Sequence, residues 1–168
     1  LSSGTTAAPR PVALSTAQLC FSAFGSAIRL GHDPHDRWLC ALPTHHVGGL
    51  SILLRTAWLG TTAVLHPRFD ADTVAAAIDA GDVTLVSLVP TMLERLLATR
   101  GPRPFPPTLR AILLGGAEAS AELLGRCREL GAPVATTWGM SEAASQVATS
   151  APGDLRPGVG PPHPFARV

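Results

Sequence analysis

Two kinds of apolar segment alternate along most of the chain. Short continuous apolar runs bounded by Gly or Pro predict buried strands, and longer segments with apolar residues every three or four positions predict helices. The predicted strands are 38–42, 61–65, 83–89, 109–114 and 134–137. Three predicted helices have a candidate cap: 16–30 with Ser15 or Thr16, a helix that runs to about 80 with Asp70 or Asp72, and 120–130 with Ser120. The other two predicted helices are 48–59 and 91–98, the latter with Pro90 in its first turn.

This alternation predicts an α/β fold in which helices flank a mostly parallel sheet, with residues 1–168 forming a single domain. Ligands of such sheets lie outside the carboxyl ends of the strands. Polar or Gly-rich segments at 43–49, 115–120 and 138–142 each follow a predicted strand. With the polar opening segment, they predict one site at one edge of the sheet.

Composition narrows the classes of function. The 168 residues are 46% hydrophobic, with 13 basic and 12 acidic residues and no cluster of basic side chains, so a nucleic-acid surface is not expected. No apolar run predicts a transmembrane helix. Cys20, Cys40 and Cys127 are widely spaced, which fits buried free thiols in a reducing cytoplasm. All 13 basic residues are Arg, so this chain offers no lysine amine.

The opening segment has the composition of a phosphate-binding loop. Backbone N–H groups and hydroxyls in a Gly-containing turn can hold phosphate oxygens, and Arg10 adds a positive charge for the same anion. The residues concerned are Ser2, Ser3, Gly4, Thr5 and Thr6. The spacing is not that of a Walker loop, and a solvated loop is the alternative interpretation.

A second candidate segment follows the last predicted strand. Trp138 and Gly139 offer a flat aromatic face beside open backbone, and Ser141 and Glu142 are predicted at the start of a next helix. A carboxylate beside a phosphate loop suits Mg²⁺, which prefers one or two carboxylates together with phosphate oxygens. The alternative is an ordinary helix start at which Glu is favoured by the helix dipole.

Two further segments are rich in Gly. Gly115 and Gly116 follow an apolar strand and allow close backbone approach, but the G-x-G-x-x-G fingerprint of a nucleotide-binding oxidoreductase is absent. His45 and His46 are adjacent and do not have the spacing of a metal pair. His46, before Val-Gly-Gly, is the better candidate for contact with a ligand.

Five segments together resemble one family. S-S-G-T-T-x-x-P-R, L-P-x-H-H-V-G-G, L-L-G-G-A-x-x-S, T-W-G-M-S-E and G-V-G-P-P-H-P are similar, in family order, to segments of the adenylate-forming enzymes, the acyl-CoA synthetase superfamily. W-G-M-S-E-A-A-S-Q with H-H-V-G-G resembles in particular the o-succinylbenzoate–CoA ligases of menaquinone biosynthesis. Synthetases for other aryl or fatty acids share much of this pattern.

The resemblance implies the central part of a large adenylation domain that activates a carboxylic acid with ATP and Mg²⁺ and transfers the acyl group to coenzyme A. Residues 2–6 and Arg10 would hold the phosphates, Glu142 the Mg²⁺, and Ser141 the α-phosphate. The other implied contacts are Trp138 and Gly139 at the adenine, Gly115, Gly116 and Ala117 along the nucleotide and acyl pocket, His46 at the acyl carboxylate and Ser145 near an aryl substrate.

The sequence also departs from the family pattern. Ala7, Arg10 and Pro11 stand where the family has Gly, Lys and Gly. The strands before the opening loop, the ribose-binding Asp and the lid with its lysine are not found, so we expect a fragment that does not complete the reaction alone. The alternative is a non-catalytic nucleotide- or acyl-binding module. A sheet cut at both ends has open edges, which favours a homo-oligomer.

Overall fold

The computed structural model describes residues 11–167. Within this range, five α-helices alternate with strands, and a single 3₁₀ turn, Ser141–Ala143, precedes the last strand. The helices are α1 Thr16–Leu30, α2 Val47–Leu59, α3 Ala71–Asp79, α4 Pro90–Arg100 and α5 Ala121–Glu129. The strands are β1 Arg37–Cys40, β2 Thr62–Leu65, β3 Leu85–Leu88, β4 Ala111–Leu114, β5 Val134–Met140 and β6 Ser145–Thr149.

The strands form one sheet in the order β2-β1-β3-β4-β5-β6. The first five are parallel, and β6 runs antiparallel to β5. The predicted α/β fold with a mostly parallel sheet is therefore confirmed. The central strands β3 and β4 are buried along their whole length, which explains why they read as continuous apolar runs.

Alternate residues of each strand pack on opposite faces of the sheet. Leu39 and Val86 belong to a core that includes buried residues of α3, α4 and α5. Trp38 and Leu85 belong to a second core with Ile52 of α2 and the end of α1. The helices therefore cover both faces of the sheet.

Four helices begin at the residues that the sequence predicts. Ser15 caps α1 in a capping box with Gln18, and Asp70, not Asp72, caps α3. Ser120 caps α5, and Pro90 is the first residue of α4, where its missing N–H costs no hydrogen bond. Local sequence signals therefore fix where these helices begin.

One predicted element is wrong. Ser141 and Glu142 do not begin a new helix: they form one 3₁₀ turn that leads into β6. Ala144 and Ser145 have φ of 58° and 118°, values that end a right-handed helix. The antiparallel pairing of β6 with β5 buries Val147 and Ala148 and outweighs the local helical preference.

The amino-terminal ends of the strands are held by a buried carboxylate. Asp36 accepts hydrogen bonds from the Arg110 guanidinium, with Nε at 3.0 Å, and from Thr84 Oγ1 at 2.7 Å. Burial would raise the pKa of Asp36, but these hydrogen bonds lower it below its ordinary value. Arg110 also donates to the Leu30 carbonyl at the end of α1. These contacts stabilise the amino-terminal ends of the strands.

Membrane spans, cysteines and the outermost strands can each be assessed within residues 11–167. None of the helices in residues 11–167 is both long and apolar enough to cross a membrane. Cys20, Cys40 and Cys127 are free thiols; Cys40 and Cys127 are buried as expected, whereas Cys20 is only partly buried. Strands β2 and β6 are the outermost strands of the sheet. The outer side of β6 is already bonded within the chain, because Thr149 N–H donates to the Pro161 carbonyl and His163 N–H donates to the Val147 carbonyl. Pairing with a second copy through the edge of β2 remains a prediction.

His163 is a buried histidine between α1 and β6. Its Nε2 lies 2.9 Å from Thr149 Oγ1, and a Cβ added at Gly25 of α1 would lie 2.6 Å from its Nδ1, so the helix packs directly on the ring. Burial, with the charges of Arg55 and Arg29, lowers the pKa of His163 from 6.5 to about 4. The folded protein therefore holds this ring neutral.

We expect His163 to make stability fall with acid before the carboxylates do. Between pH 6.5 and about 4 the unfolded chain binds a proton that the folded chain rejects, so the free energy of unfolding decreases as the pH falls through this window. His163→Gln should flatten the decrease between pH 7 and 5.5 in urea unfolding. The exposed control His35→Gln should leave it unchanged, and an equally steep decrease in His163→Gln would contradict the assignment.

Candidate active site

A cavity of about 460 Å³ opens at the carboxyl edge of the sheet. It lies where β1, β3, β4 and β5 end and where α2 and β6 begin. The predicted site residues that line it are His46, Gly115, Gly116, Gly139, Ser141 and Ser145. The structure thus gathers residues from three distant segments of the chain at the edge that the strand order predicts.

The remaining predicted residues lie elsewhere. Ala117, Trp138 and Glu142 are exposed beside lining residues but do not line the cavity themselves. Ser2, Ser3, Gly4, Thr5, Thr6 and Arg10, together with Ala7, lie outside the described residues. The phosphate-binding role of the opening segment therefore stays a prediction.

His46 lies immediately before α2 and lines the cavity. Its backbone has the extended conformation of a helix cap, but its side chain makes no capping hydrogen bond. The ring packs on His45, with centroids 4.3 Å apart. A Cβ at Gly49 would lie 2.5 Å from the Pro43 carbonyl oxygen, so the Gly at this position lets α2 fold back onto the end of β1.

The turn between β5 and β6 places Ser145 in the cavity. Residues Ala144 and Ser145 both have positive φ, which costs backbone energy for residues other than Gly. A Cβ at Gly139 would lie only 1.8 Å from the Ser145 carbonyl oxygen, so the two strands meet here without room for a side chain. The strained turn and the Gly together fix the position of the Ser145 hydroxyl.

Arg55 is the charged residue that sequence reasoning missed. It is on α2, only 1% of its surface is exposed, and it lines the cavity. Its Nη2 donates to Ser145 Oγ at 3.1 Å, while its Nε has no hydrogen-bond partner among residues 11–167. None of the salt bridges found in the described residues includes Arg55.

The buried guanidinium gives the cavity a positive charge. Burial lowers the pKa of Arg55 to about 9, so the group still carries its charge at neutral pH. Part of the remaining lining is apolar, formed by Leu42, Leu88, Val89, Met92 and Leu113, and part is polar, formed by Ser51, Ser87, Thr137 and Gln146. A cavity that combines apolar walls with a cation that has no salt bridge within residues 11–167 is complementary to an organic anion.

Two exposed predicted residues are neighbours in sequence of residues that line the cavity. Trp138, 46% exposed, is on β5 between the lining residues Thr137 and Gly139. Glu142 is an exposed carboxylate on the 3₁₀ turn. Residues 11–167 hold no group of three or more His, Cys, Asp or Glu that could hold a metal by themselves. One carboxylate fits a Mg²⁺ ion that arrives bound to phosphates.

Comparison with known proteins identifies the family. The profile of the family described as AMP-binding enzyme matches residues 1–168. The chain belongs to this family. The resemblance of its five segments to adenylate-forming enzymes is thereby confirmed.

The curated relatives of the chain include 2-succinylbenzoate–CoA ligases. That of Bacillus licheniformis is 47% identical over 150 residues, which are 89% of this chain and 31% of the relative. That of Bacillus subtilis is 44% identical over the same length, 89% of this chain and 30% of the relative. The chain thus spans about a third of the length of these relatives.

Solved structures agree with these relatives. The o-succinylbenzoate CoA synthetase of Bacillus subtilis with its acyl-adenylate intermediate matches with a TM-score of 0.89 and 42% identity, over 97% of this chain and 34% of that one. The same enzyme in complex with ATP and magnesium ion matches with a TM-score of 0.88 and 41% identity, over 96% and 34%.

We expect Gly139→Ala to disrupt the cavity wall. The added Cβ overlaps the Ser145 carbonyl, so β5 and β6 must separate, which should lower the free energy of unfolding by about 1–3 kcal/mol. Urea unfolding measures this change. The matched control is Gly125→Ala in α5, where a Cβ meets nothing within 4 Å and where better helix propensity should slightly stabilise the fold. Equal effects of the two substitutions would contradict the close contact.

Proposed function

We propose that the chain forms the substrate-binding part of an acid–CoA ligase that activates 2-succinylbenzoate with ATP and Mg²⁺ and transfers it to coenzyme A, in menaquinone biosynthesis. The names of the relatives support the substrate. The observation in this chain that supports it best is the buried guanidinium of Arg55, which forms no salt bridge within residues 11–167. Three free cysteines and the use of ATP and coenzyme A support a cytoplasmic location.

The cavity fits an aryl dicarboxylate better than a fatty acid. The substrate carries two carboxylates on an aromatic ketone, and only one of them reacts. The second would need a buried cation, which Arg55 supplies, and the ring would need apolar walls, which the cavity has. A simple fatty acid has no second anion, so binding it would leave the Arg55 charge buried and unpaired.

The proposed reaction has two displacements. A carboxylate oxygen of the acid attacks the α-phosphorus of ATP, the bond to the bridging oxygen breaks, and pyrophosphate leaves. The sulfur of coenzyme A then attacks the acyl carbon, AMP leaves, and the thiol proton passes to a base or to water. Catalysis of this kind depends mainly on positioning and on neutralising charge.

Each candidate residue of this chain has a proposed role that follows from its position. His46 and Ser141, on the cavity wall, would hold the reacting carboxylate and the α-phosphate. Glu142 would hold Mg²⁺, and residues 2–6 with Arg10 would hold the outer phosphates. Trp138 with Gly139, and Gly115 and Gly116 with Ala117, would hold the nucleotide, whereas Arg55 and Ser145 would hold the second carboxylate.

A second candidate is a binding module without turnover. Ala7 and Pro11 replace residues that the family uses as Gly in the phosphate loop. We expect the 168-residue chain to bind 2-succinylbenzoate and ATP but to form no thioester. Formation of the thioester by this chain alone, followed by chromatography, would show that it is sufficient for catalysis.

Calorimetry tests the substrate assignment. Arg55→Met should weaken 2-succinylbenzoate binding about 10- to 100-fold, because charge-assisted hydrogen bonds are worth about 1.5–3 kcal/mol, and should change ATP binding little. Arg95→Met on α4, which contacts the Phe69 ring, is a matched control outside the cavity. Unchanged affinity in Arg55→Met would contradict the proposal.

A second titration tests the magnesium assignment. Glu142→Ala should weaken binding of MgATP and should leave binding of metal-free ATP nearly unchanged, because only the former uses the carboxylate. Glu129→Ala, at the end of α5, serves as a control for removal of one negative charge. Equal weakening of MgATP and metal-free ATP would contradict a metal-binding role for Glu142.

A further inference from the structure

Beneath the cavity, Arg55 rests on an aromatic ring. The guanidinium carbon of Arg55 lies 5.2 Å from the ring centre of Trp38, which is 96% buried on β1. A cation over an indole face is attracted by the ring quadrupole, and this attraction is strongest where water is excluded. With the single hydrogen bond to Ser145, the ring is the main support of the buried charge that we find within residues 11–167.

The ring itself is held in place. Trp38 Nε1 donates to Ser87 Oγ at 2.9 Å, and both residues are buried. Trp38 is in register with Leu85 on the neighbouring strand β3 and packs in the same core as Ile52 of α2. The indole therefore cannot turn away from the guanidinium without losing a buried hydrogen bond and strand packing.

An aromatic support differs from a carboxylate in one decisive way. A carboxylate would stabilise Arg55 by neutralising its charge, and the pair would then attract an anion in the cavity only weakly. The indole stabilises the guanidinium and leaves its net charge in place. The Nη2 hydrogen bond to Ser145 and the face contact with Trp38 together leave the charge available to an anion in the cavity.

We propose that Trp38 is a positioning residue that sets selectivity for a dicarboxylate by holding the Arg55 guanidinium, with its charge intact, at the wall of the cavity. This inference rests on the proposed function. It adds that selectivity depends on a residue that does not touch the substrate, with the Ser87 hydroxyl as the group that fixes the ring.

The test measures discrimination by calorimetry on the full chain. The ligands are 2-succinylbenzoate and two matched monocarboxylates, 2-butanoylbenzoate and 3-benzoylpropionate, each of which lacks one of its two carboxylates. Trp38→Leu should weaken the binding of 2-succinylbenzoate about 10-fold. One of the two monocarboxylates lacks the carboxylate that faces Arg55, and its affinity should change by less than about 2-fold. Trp38→Phe, which keeps an aromatic face but loses the donor to Ser87, should fall between Trp38→Leu and the wild type.

A double-mutant cycle separates positioning from general damage. In the Arg55→Met background, Trp38→Phe and Trp38→Leu should change dicarboxylate affinity by less than about 2-fold, because the charge they position is gone. Trp58→Phe, on the same helix as Arg55 but outside the cavity, is the matched control and should have no effect. Ser87→Ala, which keeps both ring and cation, gives a milder variant if a Trp38 substitution unfolds the chain, and should weaken the dicarboxylate selectively.

The outcomes separate the two proposals. If at least one monocarboxylate binds to the wild-type chain as tightly as 2-succinylbenzoate does, the proposed substrate class is wrong, and the inference about Trp38 is then wrong too. If the wild type discriminates but the Trp38 and Ser87 variants discriminate equally well, or lose all three ligands to the same extent, the inference alone is wrong.

Discussion

Parallel hydrogen bonding requires β1, β3, β4 and β5 to end at the same edge of the sheet, and the candidate site depends on this alignment. The segments after β1, β3 and β4 lie at that edge and lead into helices, whereas the segment after β5 leads through a 3₁₀ turn into β6. Pro43, Gly115 and Ser141 meet around one cavity for this reason, although they are far apart in sequence. The opposite edge carries the Asp36–Arg110 pair, which contributes stability.

Within that arrangement, we propose that the buried charge of Arg55 determines what the cavity binds. A guanidinium that is removed from water without a neutralising partner costs folding free energy, and the indole of Trp38 offsets only part of this cost. A bound carboxylate would offset the rest. The same charge also contributes to the low pKa of His163, so the electrostatic effect of the site extends behind the cavity to the packing of α1 on β6.

Much of the fold could be predicted from the sequence because its signals are local. Ser15, Asp70 and Ser120 cap helices as predicted, and the apolar runs of β3 and β4 mark buried parallel strands. The edge that carries the cavity followed from the order of these elements. These features depend on periodicity and capping, which the sequence displays directly.

Other features depend on contacts that no local pattern shows. Strand β6 follows a segment that reads as a helix start, and only pairing with β5 and the positive φ of Ala144 and Ser145 make it a strand. Arg55 interrupts an apolar helix, where a lone charge usually marks a solvent-facing position. Its burial against Trp38 becomes visible only in three dimensions, although a single Arg in so apolar a helix is the signal that could have drawn attention to it.

A crystal structure of the chain with bound 2-succinylbenzoate would show most directly whether an unneutralised Arg55 selects an aryl dicarboxylate. We expect one carboxylate within hydrogen-bond distance of the Arg55 guanidinium and the Ser145 hydroxyl, with the aromatic ring between the apolar walls. A ligand whose two carboxylates both lie away from Arg55, with the guanidinium still contacting only Trp38 and Ser145, would contradict it.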